Sequence, residues 1–125
     1  MVKIVIKGQL TTLNSYINAN RNNRYGGGAV KKRETTRCAK AITKYLLDNP
    51  QDEELFPANI RFDWYRKDKR SDKDNIAFAK KFILDGFMQA ELLDNDNWVN
   101  ILDFEDHFYI DKDNPRVEIT LTPPK

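Results

Sequence analysis

The chain has 125 residues, of which 40% are hydrophobic and 32% charged, and its formal net charge is +2 at pH 7. This length suits a single domain with its own hydrophobic core, expected over residues 1–125, and no apolar run is long enough to span a bilayer. Its single cysteine, Cys38, excludes an internal disulfide, and a single histidine leaves no zinc site of cysteine and histidine. The N-terminus has no run of signal-peptide type, so we expect a soluble, cytoplasmic protein.

The N-terminal half contains one predicted strand and one long predicted helix. Apolar and polar residues alternate from Val2 to Ile6, as in a strand with one buried face. An Asn-rich segment follows and ends at Gly26–Gly28, where we expect a mobile loop. A helix is predicted from about Ala29 to Leu47, because its apolar residues recur at helical spacing. These apolar residues are Cys38, Ala41, Ile42, Tyr45 and Leu46.

The C-terminal half adds three predicted strands and a second helix. Residues 60–65 alternate as a strand, and a helix is predicted over about residues 74–90. Residues 99–110 are strand-like but irregular, and residues 117–121 alternate cleanly as a closing strand. The sequence therefore predicts an α+β fold, with a mixed sheet of about four strands and two main helices.

Charge is unevenly distributed along the chain. Lysine and arginine dominate residues 21–45, whose one acid is Glu34, whereas acids dominate residues 91–113, whose one lysine is Lys112. Such segregation indicates either a solvated helix face or a surface that binds phosphates beside an acidic site. The basic stripe of the first helix consists of Arg33, Arg37, Lys40 and Lys44.

Asp72 and Asp74 lie one residue apart at the predicted start of the second helix. Aspartate is a favoured helix cap, so these two residues suit the start of a helix without any further role. Two carboxylates also suit a hard cation such as Mg²⁺, with a third acid from Asp94 or Asp96 in the segment "LLDNDNW". The alternative for that segment is an exposed acidic turn.

A calcium-binding EF-hand is excluded at the same place. After Asp72 and Asp74 that loop requires an oxygen ligand, a glycine and a glutamate at the positions of Ile76, Ala77 and Ile83. None of these three residues meets the requirement.

The predicted second helix has two distinct faces. At about 100° per residue, Asp74, Lys81 and Asp85 project from one face, whereas Lys80 lies well off it. The opposite face is apolar and is expected to pack against the core. Its members are Ile76, Ala79, Ile83 and Phe87.

The segment "DKDNIAFAKKFILDGFMQAELLDNDNW" and the later strand "DNPRVEITL" resemble the RusA-type Holliday-junction resolvases of phages and prophages. The resemblance covers most of the chain and is strongest over residues 72–98 and 115–121. It is weaker at the N-terminus, where "IKGQLTTLN" is similar to the first strand of that family and the loop after it.

The resemblance implies a homodimeric, Mg²⁺-dependent crossover junction endodeoxyribonuclease of phage or prophage origin, which acts on branched DNA in the bacterial cytoplasm. It implies that Asp72, Asp74 and Asp96 hold the metal and that Lys81, four residues before Asp85, is the catalytic lysine. This chain departs from the family in having Asn95 before Asp96, so Asp94 remains an alternative ligand. Its lysine also lies about one turn further along the helix, so Lys80 remains an alternative to Lys81.

The residue types suit this chemistry independently of the resemblance. Phosphodiester hydrolysis needs a polarised phosphoryl oxygen and an activated water, which Mg²⁺ held by carboxylates supplies, and a nearby lysine neutralises developing charge. An apolar group near Phe104, Phe108 and Tyr109 is expected to serve a dimer. The predicted DNA-binding residues are Arg24, Arg33, Arg37, Lys40, Lys44, Lys69 and Arg70, which suit backbone phosphates rather than base edges.

Two other functions remain open on the sequence. One is a non-catalytic DNA-binding or regulatory module of a phage, in which the acids only cap a helix. The other is a Mg²⁺-dependent nuclease that acts on other branched or ordinary duplex DNA.

Overall fold

The computed structural model describes residues 1–124, which form four strands and four helices. The strands are β1 (Val2–Lys7), β2 (Ala58–Arg66), β3 (Ile101–Ile110) and β4 (Arg116–Thr122). The helices are α1 (Leu13–Asn22), α2 (Gly26–Asp48), α3 (Lys73–Ala77) and α4 (Lys80–Gln89).

The four strands form one sheet in the order β1-β4-β2-β3. Strands β2 and β3 are parallel, whereas β1–β4 and β2–β4 are antiparallel, so the sheet is mixed. The expected α+β fold with a four-stranded mixed sheet is confirmed. Strand β3 forms one edge of the sheet and β1 forms the other.

The helices cover one face of the sheet. Alternate residues of each strand point toward that face and pack against the helices. Ile4, Phe62 and Ile119 are fully buried there. Of the apolar residues predicted for the first helix, Cys38 and Ile42 are buried. The other three, Ala41, Tyr45 and Leu46, are partly buried and pack against the core. Gly86 of α4 allows close packing against α2, since a Cβ there would lie 2.7 Å from the Cβ of Cys38. No helix among residues 1–124 combines the length and apolar composition needed to cross a membrane.

The glycine-rich segment is helical, so the prediction of a mobile loop there is wrong. Helix α2 begins at Gly26, and helix α1 precedes it within the Asn-rich segment. A Cβ at Gly27 would overlap the Asn20 side chain, and one at Gly26 would overlap the Ala19 carbonyl. These glycines therefore permit close contact between two helices, a tertiary requirement that looks like a flexible loop in sequence.

The prediction of one continuous helix over residues 74–90 is also wrong. The backbone N–H of Lys81 donates to Phe78 and that of Phe82 donates to Ala79, at 3.1 and 3.0 Å, with three-residue spacing. Such bonds tighten the backbone between α3 and α4, so the angles of a straight helix do not carry across this turn. Ile76 and Ile83 are nevertheless buried as predicted, with 5% and 0% of their surface exposed.

Candidate active site and nucleic-acid interface

Asp72 and Asp74 lie at the rim of a cleft at the C-terminal end of β2. Asp72 directly precedes α3, Asp74 lies in its first turn, and both side chains are exposed. The cleft has a volume of about 660 Å³ and combines acidic, basic and apolar walls. Its other lining residues include Arg66, Lys69, Lys73, Phe108 and Ile110.

Neither carboxylate is used by the rest of the described chain. Asp72 occupies the N-cap position of α3 with an extended backbone, but its side chain accepts no capping hydrogen bond. The side chain of Thr12, in contrast, caps α1 by accepting from the N–H of Ser15. Within residues 1–124, Asp72 and Asp74 show no side-chain hydrogen bond or ion pair, so a side-chain cap does not account for Asp72, whereas Asp74 lies in the first turn, where an acid suits the helix dipole.

Asp96, the third predicted acid, lies at the other end of β2. The N–H of Ala58, the first residue of β2, donates to Asn100, whose side chain in turn donates to the Asn95 carbonyl. Asp72 comes six positions after Arg66, the last residue of β2, and the eight steps of about 3.3 Å between the nine residues of this strand separate its two ends by about 26 Å. One chain therefore does not bring Asp96 together with Asp72 and Asp74, and Asp94 in the same loop has the same limitation.

Consistent with this separation, residues 1–124 contain no group of three or more His, Cys, Asp or Glu side chains placed to hold a metal ion. Asp72 and Asp74 alone still suit Mg²⁺, which is commonly bound by one or two carboxylates together with waters and substrate phosphates. The donor set at the cleft thus fits a hard cation that the substrate helps to bind.

The two candidate lysines have different environments. The ammonium of Lys81 lies 3.2 Å from Asp85, four residues later, and its side chain is half exposed. Lys80 is turned toward the sheet, where its ammonium donates to Asp106 of β3 at 2.7 Å. Lys80 therefore has a structural partner on β3, whereas Lys81 pairs only along its own helix.

Asp106 is a residue that sequence reasoning missed. Besides Lys80, it accepts a 2.9 Å hydrogen bond from the indole N–H of Trp64 on β2. The ammonium of Lys80 also lies over the rings of Phe62 and Phe104, 5.2 and 4.6 Å from their centroids. One feature of the sequence could have indicated this residue. Asp106 is the only acid among the alternate, otherwise apolar residues of β3, and an acid at such a position usually has a partner.

Arg37 has a structural role that competes with its predicted phosphate contact. Its guanidinium donates to the backbone carbonyls of Lys7 and Gln9, the latter at 3.1 Å, and to the buried carboxylate of Glu34. Glu34 also accepts two hydrogen bonds from Thr11, at 2.8 and 3.0 Å. This network ties the middle of α2 to the chain that leaves β1.

The remaining predicted basic residues are more exposed. Lys40 lies on the outer surface of α2, and Lys44 is 3.9 Å from Asp48 with 81% of its side chain exposed. Lys69 lines the cleft, whereas Arg24 lies over the ring of its neighbour Tyr25. The other two, Arg33 and Arg70, lie within 4 Å of Glu34 and Asp68 respectively.

The face of the sheet away from the helices carries a network of charged side chains. Arg116 and Lys3 both contact Glu118 at 2.7 Å, and Arg61 pairs with the buried Asp63 at 3.1 Å. Burial acts to raise the pKa of Glu118, but hydrogen bonds from Lys3 and Arg116 outweigh it and hold that pKa below its usual value. The hydroxyl of Tyr109 donates to Asp63 at 2.8 Å, and this bond raises the pKa of Tyr109. These contacts stabilise the sheet and involve neither Asp72 nor Asp74, although Tyr109 also lines the cleft.

A comparison with known protein families finds no family model that matches this chain, and a comparison with curated proteins finds no match.

Proposed function

We propose that this protein is a Mg²⁺-dependent, structure-specific endonuclease that resolves four-way DNA junctions as a homodimer. The observation that carries the proposal is the pair of unpartnered carboxylates, Asp72 and Asp74, at the rim of a cleft with basic residues. Because neither side chain is engaged within residues 1–124, both carboxylates are free to bind a ligand at this cleft. The resemblance of residues 72–98 and 115–121 to RusA-type resolvases supports the choice of substrate.

In this function, Asp72 and Asp74 would hold the Mg²⁺ ion. The bound ion supplies Lewis-acid polarisation of the scissile phosphate and lowers the pKa of the attacking water. Lys73 and Lys69, on the same cleft, would attract the phosphate backbone and orient it. The resemblance assigns to Lys81, which is not among the residues that line the cleft, the role of neutralising the charge that develops on the phosphate in the transition state.

The outer surface of α2 would bind the DNA arms. Lys40 and Lys44 are exposed there and would contact backbone phosphates without reading the base sequence. A four-way junction has two equivalent scissile phosphates, so a two-fold dimer matches its symmetry with one acidic site for each.

The test is cleavage of a synthetic four-way junction, with a linear duplex of the same sequence as the control substrate. We expect cleavage of the junction with Mg²⁺, none with EDTA, and little cleavage of the duplex. Equal cleavage of both substrates would indicate a nuclease without junction specificity. A protein that binds the junction but never cuts it would overturn the catalytic proposal.

The location of Asp96 favours a second candidate, a non-catalytic DNA-binding module. In a single chain the third acid lies beyond one end of β2 and the other two beyond the opposite end, and this strand is about 26 Å long. The candidates differ in what Asp74→Asn does: a nuclease loses cleavage and keeps junction binding, whereas a module has no cleavage to lose.

A further inference from the structure

A groove runs between α2 and α4, separate from the cleft of Asp72 and Asp74. It has a volume of about 420 Å³ and shares no lining residue with that cleft. Its lining residues recur at helical spacing, so each helix contributes one face. They are Gly28, Lys31, Lys32 and Thr35 from α2, with Asp85 and Met88 among those from α4.

Two buried polar atoms of this groove have no hydrogen-bond partner among residues 1–124. They are the hydroxyl oxygen of Thr35 and the Oδ2 atom of Asp85. The other carboxylate oxygen of Asp85 lies 3.2 Å from the ammonium of Lys81, and only 11% of the Asp85 side chain is exposed. Buried polar atoms are normally paired, because leaving them unpaired is costly. The two atoms therefore suit a ligand that offers hydrogen-bond donors.

Gly28, at one end of the groove, is not required by packing within the chain. Gly26 and Gly27 permit the contact with α1, whereas a Cβ at Gly28 would have no atom of a neighbouring element within 4 Å. Glycine weakens a helix relative to alanine, because it has more conformational freedom to lose. Its missing side chain leaves the groove open and lets a ligand approach the backbone of α2.

The rim of the groove is basic. Lys32 is exposed, and the side chain of Lys31 is 53% exposed. The ammonium of Lys31 lies 3.9 Å from Oδ2 of Asp85, which is too far for a hydrogen bond. Two ammonium groups attract an anion, while the atoms below them accept hydrogen bonds. A ligand that satisfies both has an anionic group joined to a group with N–H donors.

We propose that this groove binds one unpaired nucleotide of a DNA strand. The edge of the base donates to Oδ2 of Asp85 and contacts the hydroxyl of Thr35, and the phosphate lies on Lys31 and Lys32. Every nucleobase carries an N–H donor on its Watson–Crick edge, and proteins read unpaired bases by hydrogen bonds to that edge. The choice of DNA as the source of the nucleotide rests on the proposed function, since a nuclease for branched DNA acts where strands leave the duplex.

The rest of the groove suits the same ligand. Its volume lies within the range of about 300–1,000 Å³ that is usual for small-ligand sites. Met88 supplies an apolar, polarisable surface for the face of the base. Because the Lys31 side chain is flexible and half exposed, it turns from Asp85 to the phosphate, and a base N–H takes its place at Oδ2. Asp85 keeps its ion pair with Lys81 throughout.

The test is fluorescence anisotropy with two short, labelled single strands in EDTA, where Mg²⁺-dependent cleavage is blocked. One strand is DNA of mixed sequence, and the other is an abasic sugar-phosphate backbone of the same length. Both strands offer phosphates to the lysines, but only the first offers bases. We expect the mixed-sequence strand to bind about tenfold more tightly, the scale of one or two hydrogen bonds. Equal binding of the two strands would overturn the recognition of a base.

Variants of the groove separate the two parts of the ligand. Thr35→Val removes a hydroxyl and keeps the shape, so it should weaken binding of the mixed-sequence strand about fivefold and leave the abasic strand unaffected. Thr36→Val is the matched control, because Thr36 follows directly and does not line the groove. Lys31→Ala together with Lys32→Ala should weaken binding of both strands, since both carry phosphates. The same result for Thr35→Val and Thr36→Val would overturn the role of the Thr35 hydroxyl.

Gly28→Leu fills the groove without removing a functional group. Its melting temperature should not fall, because a side chain there enters open space, but the mixed-sequence strand should bind no better than the abasic one. Thr43→Leu, at an exposed position of α2 outside the groove, is the control for an added leucine and should bind as the wild type does. Normal binding by a stable Gly28→Leu protein would overturn the groove site.

The outcome is independent of catalysis. A protein that cuts junctions but binds both strands equally overturns this inference alone. A protein that shows the expected binding pattern but never cuts a junction overturns only the nuclease proposal, and the nucleotide groove stands.

Discussion

The ammonium of Lys80 lies 2.7 Å from a carboxylate oxygen of Asp106, and this pair joins α4 to the edge strand β3. About a fifth of the Lys80 side chain and a quarter of the Asp106 side chain are exposed. The same contact distinguishes Lys80 from its neighbour Lys81, whose only close carboxylate among residues 1–124 belongs to Asp85.

Replacement of the two lysines should separate stability from catalysis. Lys80→Ala leaves Asp106 without its cation, and we expect a loss of about 1–2 kcal/mol in unfolding free energy, moderated by partial exposure. Lys81→Ala should cost only about 0.2–0.5 kcal/mol, the usual value of such a pair within a helix, because Lys31 also lies 3.9 Å from Asp85. It should slow junction cleavage about a hundredfold, the scale for one lost transition-state contact. Urea denaturation and single-turnover cleavage measure the two effects. An inactive but stable Lys80→Ala protein beside an active Lys81→Ala protein would reverse the assignment.

The acids of the cleft should be important for cleavage and unimportant for folding. Asp72→Asn and Asp74→Asn each remove a carboxylate that has no partner in the described chain, so the melting temperature should not fall. Cleavage should be lost, and junction binding should persist or tighten because one charge that repels phosphate is gone. Gel-shift and cleavage assays on the same preparations test this, with the exposed Asp94→Asn as the control. Loss of cleavage in Asp94→Asn but not in Asp96→Asn would make Asp94 the third ligand.

The basic residues of α2 should fall into two classes. Lys40→Glu and Lys44→Glu should weaken junction binding and reduce its dependence on salt, because fewer counterions are released on binding. Arg37→Glu should mainly destabilise the protein, since it replaces the donor to Lys7 and Gln9 with an acid beside Glu34. Salt titrations of binding together with thermal melts distinguish the classes. Equal loss of binding with unchanged melting temperatures in all three variants would contradict the structural role of Arg37.

Low pH should destabilise the protein through Glu118, which lies on the face of the sheet away from the helices. Hydrogen bonds from Lys3 and Arg116 hold the pKa of Glu118 below its usual value in the folded protein, despite the opposing effect of burial. This group therefore contributes stability above the unfolded pKa of 4.5, which is lost as pH falls through the folded pKa. Glu118→Gln should reduce the slope of unfolding free energy against pH below about 4.5 and leave that slope unchanged near neutrality. An identical acid profile in the variant would show that other carboxylates dominate.

The sequence alone determined the fold class, because alternation and helical periodicity report which side chains face the core. Ile4, Phe62, Ile83 and Ile119 are all buried in agreement with these patterns. Local patterns also located the pair Asp72 and Asp74, since two acids between basic residues are visible without any fold.

Only the tertiary structure determines the relationships between segments that are distant in the sequence. The segment Gly26–Gly28 is helical, and its first two glycines allow α1 to pack closely against it. The helix after Asp74 divides because three-residue hydrogen bonds tighten its backbone. The partnership of Lys80 with Asp106 depends on β3 lying beside β2, which no periodicity encodes. The parallel pairing of these two strands also places Asp96 at the opposite end of β2 from Asp74, because the chain must return along the sheet before β3 begins.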